Sequence, residues 1–158
     1  MSVKRWLYRG GRPNRAARFL DRITAALYAR GIAPDYLVTL TVAGRRSGKA
    51  ITLPLVMVVV DGESYVVSML GDNANWVRNV RAAEGRAVLR HGREESVCLV
   101  EVEPRDRPVV LRTYLRSAPN ARTHVPVSKD APLADFAEVA PEYPVFRVMR
   151  DPPDRNAP

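Results

Sequence analysis

Tyr36-Leu37-Val38-Thr39-Leu40-Thr41-Val42-Ala43-Gly44-Arg45-Arg46-Ser47-Gly48-Lys49 opens as a strand and ends as a turn. Val38, Leu40 and Val42 alternate with Thr39, Thr41 and Ala43, the period of a strand with one face buried. The residues from Gly44 to Gly48 break that alternation, and an apolar run resumes from Ile51 to Val60. Strand, tight basic turn and second strand together predict a hairpin of antiparallel neighbours. The second strand is apolar on both faces, which places it in the middle of a sheet. Pro54 within it has no N–H to donate, so an edge, a bulge or a local gap in pairing is expected there.

Working outward, Asp61-Gly62-Glu63 turns the chain into a strand over Ser64–Met69. Two more strands, Arg86–His91 and Glu95–Glu103, flank His91-Gly92-Arg93, and a last one covers Tyr143–Met149. Asp72 is placed to cap a short helix carrying Trp76, Val77, Val80 and Ala83. A helix over Asp106–Ser117 turns Val110, Leu111, Tyr114 and Leu115 inward and tolerates Pro108 in its first turn. Another short helix covers Leu133–Ala140. Upstream, Pro13–Arg30 reads as an amphipathic helix with Phe19, Leu20, Ile23 and Leu27 on one face and Arg15, Arg18 and Arg22 on the other. The pattern is that of an α+β domain whose strands, about six and mostly antiparallel, build a barrel flanked by short helices. Residues 1–35 form a basic N-terminal helical segment, 36–150 the barrel domain, and 151–158 a polar, proline-rich tail expected to be loose.

A chain of 158 residues is one domain's worth and can bury roughly 70% of its unfolded surface. The single cysteine, Cys98, excludes an internal disulfide and is expected as a small buried thiol in its apolar run. One cysteine with His91 and His124 supplies no zinc signature. The N-terminus lacks the apolar stretch of a secretory signal, and Leu53–Val60 is far too short to span a bilayer. A cytoplasmic location is expected. The net charge of +8 is uneven: residues 1–50 hold 11 Lys/Arg against Asp21 and Asp35, a net of +9, and the remainder is nearly neutral. Nucleic-acid binding would require interleaved aromatics or a reading element, and neither is present. The first helix therefore either covers one end of the barrel or lies on an anionic membrane.

Two segments carry chemistry. In Gly44-Arg45-Arg46-Ser47-Gly48-Lys49, two glycines let the backbone turn tightly and free its amides, while Arg45, Arg46, Lys49 and the Ser47 hydroxyl add donors suited to phosphate. It lacks the spacing of a Walker loop. The alternative is a solvated basic hairpin. In Ser68-Met69-Leu70-Gly71-Asp72-Asn73-Ala74-Asn75-Trp76, a strand end runs into a helix N-terminus, where backbone donors can meet an electron-rich ligand. Trp76 can wall a flat ring system there, or serve simply as a core residue with Asn75 and Asn79 satisfying nearby backbone.

The order Leu40-Thr41-Val42-Ala43-Gly44-Arg45-Arg46-Ser47-Gly48, then Pro54, then Gly71 with Trp76 and Asn79, resembles the deazaflavin (coenzyme F-420)-dependent nitroreductase family. The likeness runs from Tyr36 to Val102 and continues more weakly to Val148. It implies a split β-barrel, a reduced 8-hydroxy-5-deazaflavin with a phosphate and glutamate tail, and hydride transfer to a quinone, nitro compound or enone. On that resemblance Arg45, Arg46, Ser47, Gly48 and Lys49 hold the phosphate or tail. Thr52 and Pro54 lie beside the ring, Ser68, Met69, Leu70 and Gly71 present backbone to its edge, and Trp76 walls the pocket. The family pattern carries a basic residue where Ile51 or Leu53 stands here, and a lysine near Leu70. Both charges are missing, and the Gly71-to-Trp76 loop is short.

Flavin mononucleotide (FMN) also presents a phosphate to a basic turn, so an FMN-binding split-barrel oxidoreductase is the alternative enzyme. A non-catalytic coenzyme or lipid carrier is the alternative of another class. Tyr114, His124 and Tyr143 are the candidate proton donors, because each carries a transferable proton and lies in the second half of the chain.

Overall fold

The computed structural model describes residues 37–150. The expected helix over Pro13–Arg30, the segment 1–35 and the tail 151–158 lie outside the described residues. Strand β1 (Leu37–Ala43) pairs antiparallel with β2 (Ala50–Val60), in register from Leu37 opposite Val56 to Ala43 opposite Ala50. The turn between them is the basic loop. Next come β3 (Glu63–Val67), β4 (Arg86–His91), β5 (Arg93–Glu101) and β6 (Val145–Arg150). The order β1-β2-β3-β6-β5-β4 closes into a barrel, and every pairing is antiparallel.

Strand β2 is shared between two partners. Its residues 50–56 pair with β1 and 57–60 with β3. Pro54 lies opposite Thr39 in the half that β3 does not reach, where a strand can lack an N–H without breaking a second ladder. The expected gap in pairing is there.

Alternation assigns the faces. Val38, Leu40, Val42, Met57 and Phe146 point into the barrel. Helix α1 (Asn75–Ala82) adds Val77 and Val80 to that inner core, with Trp76 packed against it. On the outer side of β2, β3 and β6, Val56, Val58, Val67 and Val145 form a second core with Leu111 and Leu115 of α2 (Pro108–Ser117) and Phe136 of α3 (Leu133–Val139). The C-terminal half of β2 is thus a wall between two cores, which explains its apolar character on both faces.

Element ends differ from the periodicity where a particular bond wins. Helix α1 begins after Ala74 with no side-chain cap, and the Asp72 carboxylate instead meets the Arg81 guanidinium at 2.7 Å. A charge-assisted pair outcompetes a cap, and it holds the Asp72 carboxyl below its ordinary range. Helix α2 begins at Pro108, whose fixed φ suits a first turn, leaving Asp106 in a 3-10 turn over Pro104–Asp106. The last strand starts at Val145 because Pro144 has no N–H to contribute. Its carbonyl instead accepts the Ser68 amide at 3.0 Å, which ends β3 at Val67. Cys98 is not fully buried: it sits half-exposed on β5 opposite Met149, its thiol 3.9 Å from the Glu84 carbonyl oxygen.

A buried polar centre lies against the outer core. Arg107 is 4% exposed. It donates to the carbonyls of Val102 (2.8 Å), Ala140 (2.9 Å) and Tyr143 (3.4 Å) and pairs with Glu101 at 3.1 Å. Glu101 also binds Arg81, which reaches Asp72, so an ionic chain runs from Arg107, bonded to the Ala140 and Tyr143 carbonyls, to the loop before α1.

Candidate functional site

The basic turn is closed by two backbone bonds, Gly44 amide to Lys49 carbonyl and Gly48 amide to Gly44 carbonyl, both 2.8 Å. Gly44 has no room for a side chain: a Cβ would meet Ser47 Oγ at 2.9 Å and Ile51 Cδ1 at 3.0 Å. Within this turn the cations divide into two kinds. Arg45 is tied down, its amide and its Nη1 both donating to Asn79 Oδ1 (3.1 and 2.9 Å) while Nη2 reaches Asn75 Oδ1 at 3.4 Å. Arg46 and Lys49 are exposed and have no ion-pair partner among the described residues. The Ser47 hydroxyl accepts the Lys49 amide at 3.2 Å, and the amides of Arg46 and Ser47 meet no acceptor among the described residues. Two exposed cations and two amides without an acceptor among the described residues gather at one loop tip, a donor set that fits a phosphate.

Arg45 therefore acts as a strut. Asn79 is buried at 2% exposure and comes from the inward side of α1, so the strut fixes the turn against the helix. Trp76, one turn earlier on the helix, lies 5.6 Å from Phe146, centroid to centroid, in a tilted pair. Its ring is half-buried and set by the inner core.

Thr52 and Pro54 lie on the outer face of the barrel wall. The Thr52 hydroxyl bonds that of Thr41 at 2.9 Å, and Pro54 stands opposite Thr39, which in turn stands opposite Arg90 on β4. Arg90 is exposed and adds a cation to this face. Sequence alone could not have found it, because only the register between β1 and β4 sets it beside Thr39. Leu53 points into the inner core, whereas Ile51 and Leu70 stay 42% and 64% exposed. Where the family pattern has cations, this chain has open apolar surface.

The turn after β3 is held at both ends. The Ser68 amide donates to Pro144, its hydroxyl donates to the Gly71 carbonyl at 2.7 Å, and the Gly71 amide returns to the Ser68 carbonyl at 3.3 Å. Gly71 adopts φ +85° against the Glu142 carbonyl. Met69 and Leu70 ride on the tip between these anchors. Met69 leans on the outer core and meets the Asn120 amide, with Nδ2 3.8 Å from its sulfur. Gly71 and Asn75 are four residues apart and so at most about 14 Å distant. The Ser68–Gly71 turn therefore leads into the helix that braces the basic loop.

The candidate proton donors fall in different places. Tyr114 is buried in the outer core, and burial raises its phenol pKa well above the usual range. The Tyr143 hydroxyl donates to the His124 carbonyl at 2.8 Å, and burial with the Glu142 charge pushes its pKa up. The His124 side chain is exposed. Thus the Tyr143 hydroxyl meets the His124 backbone carbonyl, Tyr143 itself belonging to the Glu142–Pro144 segment that backs the Ser68–Gly71 turn, and Tyr114 shares the outer core with Tyr143.

Residues 20–133 match the profile of the F420H(2)-dependent quinone reductase family. No curated protein is significantly similar in sequence. Among solved structures the chain is similar to an F420-H2 dependent reductase (FDR-A), at 22% identity over 72% of this chain and 94% of that one, with a TM-score of 0.49. It is also similar to Atu2129 of Agrobacterium tumefaciens str. C58, a protein of unknown function, at 12% identity over 81% of this chain and 55% of that one, TM-score 0.55. A domain-swapped dimer matches at 18% identity over 85% of this chain and 99% of that one, TM-score 0.51. At these identities none of the three likenesses speaks to more than the fold.

Proposed function

The chain belongs to the F420H(2)-dependent quinone reductase family and is accordingly a deazaflavin-dependent oxidoreductase, and from that premise we propose that its basic turn and its Ser68–Gly71 turn hold the two ends of the coenzyme. The observation that carries the proposal is the division of labour in the basic turn. Arg45 is spent on Asn79 and Asn75, whereas Arg46, Lys49 and two amides remain open to a phosphate. When bound, reduced coenzyme F-420 supplies the hydride to a quinone-type acceptor.

The chain's own residues orient and exclude. Ser68 and Gly71 fix a turn whose backbone would meet the ring edge, and Trp76, braced by Phe146, would wall one side. Thr52 and Pro54 offer a flat, weakly polar flank. Exposed Ile51 and Leu70 give an apolar acceptor a surface to lie on, which suits a quinone better than a charged substrate. The Tyr143 hydroxyl, held on the His124 carbonyl, is the proton donor in this reading. The test is turnover: reduced F-420 should be reoxidised by a water-soluble quinone in the presence of the protein, and a protein that leaves the rate unchanged would defeat the assignment.

The basic segment 1–35 is proposed to bring this site to an anionic membrane, where apolar quinones partition. Its net charge supports this reading. Among the described residues no helix is long and apolar enough to cross a membrane. The intact chain should sediment with anionic vesicles and release them at high salt, as surface attraction does. Sedimentation that is unchanged when residues 1–35 are removed would contradict this role.

A further inference from the structure

The Ser68–Gly71 turn belongs to a ring of bonds that closes on itself. Gly71 continues into Asp72, whose carboxylate accepts from Arg81 Nη2 at 2.7 Å. Arg81 takes both oxygens of Glu101, at 2.8 and 3.0 Å, and Glu101 pairs in turn with Arg107 at 3.1 Å. Arg107 donates to the Tyr143 carbonyl, and the carbonyl of the next residue, Pro144, accepts the Ser68 amide. The Ser68 hydroxyl then donates to the Gly71 carbonyl, which completes the circuit. Within it the chain passes close to itself, since a Cβ on Gly71 would stand 3.3 Å from the Glu142 carbonyl oxygen.

Arg81 lies near the C-terminal end of α1, and Asn75 and Asn79 of the same helix accept from Arg45 of the basic turn. One short helix is therefore bonded to the basic turn through two amides and to the Ser68–Gly71 turn through one guanidinium. The Asp72–Arg81 pair is exposed, and pairs of that kind add only about 0–1 kcal/mol to stability. What it does supply is direction, because a planar fork already fixed on both oxygens of Glu101 leaves Asp72 little choice of position. We propose that Arg81 is a positioning residue. Acting through Asp72, it fixes the Ser68–Gly71 turn relative to the helix that braces the basic turn, and so sets the coenzyme ring at the distance and angle that hydride transfer requires. This rests on the coenzyme reading of the two turns. A misplacement of about 1 Å can cost roughly a hundredfold in rate even when its cause lies away from the reacting atoms.

The full-length protein provides the test. Turnover of reduced F-420 with a water-soluble quinone is measured for wild type, Asp72→Asn, Arg81→Gln and the double variant, beside titrations with oxidised F-420 and thermal melts. Asp72→Asn removes one exposed pair and should melt within about 4 °C of wild type. Its kcat should nevertheless fall roughly ten- to hundredfold. Affinity for F-420 should change far less, because the cations of the basic turn are untouched. That split marks the loss of an interaction that shapes the transition state and not of one that merely binds. The double variant should be no slower than Arg81→Gln alone, since both changes act through one bond. Asp72→Glu, which keeps a carboxylate, should regain most of the rate. A wild-type kcat in Asp72→Asn, a loss of affinity with kcat unchanged, or losses that multiply in the double variant would overturn the inference. Wild type that does not turn over F-420 would sink the coenzyme reading and this inference together, whereas normal wild-type turnover with an indifferent Asp72→Asn sinks the inference alone.

Discussion

Replacing Arg107 by alanine is expected to lower the free energy of unfolding by about 3–5 kcal/mol, the usual penalty for breaking a buried ionic network from one side. The guanidinium is 4% exposed and meets three carbonyls and one carboxylate. Alanine would strand the Ala140 and Val102 carbonyls and leave Glu101 with Arg81 alone. At about 2–4 °C per kcal/mol for a domain of this size, the melting temperature should fall by roughly 10 °C. Arg107→Lys should recover only part of the loss, because an ammonium cannot present a planar fork to groups on opposite sides. The same bonds hold the Ala140–Tyr143 segment that precedes the Pro144 carbonyl beneath Ser68, so F-420 affinity should drop as well. A thermal melt of Arg107→Ala within about 1 kcal/mol of wild type would show that the network is ornamental.

The second large effect concerns ligand and not fold. Arg46→Ala combined with Lys49→Ala should weaken F-420 by about 3–6 kcal/mol, taking each charge-assisted bond at about 1.5–3 kcal/mol. That corresponds to a dissociation constant raised by roughly two to four orders of magnitude. Stability should hardly change, because both side chains are exposed and unpaired among the described residues. Arg45→Ala behaves differently. It removes the strut to Asn79 and Asn75, so it should lower both stability and affinity, and the two losses should track each other. Calorimetric titration alongside thermal melts separates the cases. A double variant with wild-type affinity would return the turn to a solvated hairpin.

That contrast marks where the sequence was legible. The period-two run over Val38–Val42 and the glycine-bounded turn led to the hairpin, and with it to antiparallel closure, since both depend on local spacing. The α1 face of Val77 and Val80 was legible for the same reason. What local spacing does not carry is partnership. Nothing in Arg45-Arg46 separates a strut from a free cation, because the difference lies in Asn79, 34 residues away. Arg90 reaches the Thr39–Pro54 face only through the β1–β4 register. Asp72 reads as a cap until Arg81 is folded beside it. Cys98 read as buried because its run is apolar, but alternation turned it to the outer face of β5.

The basic turn and the Ser68–Gly71 turn are expected to take a deazaflavin by its phosphate and its ring together. Parallel titrations of the full-length protein with F-420 and with FMN, followed by quenching of tryptophan fluorescence with Trp76→Phe as the control, test it most directly. Saturable quenching by F-420 is expected at lower concentration than by FMN, and it should be largely lost in Trp76→Phe. Tighter binding of FMN, or quenching that survives intact in Trp76→Phe, would contradict it.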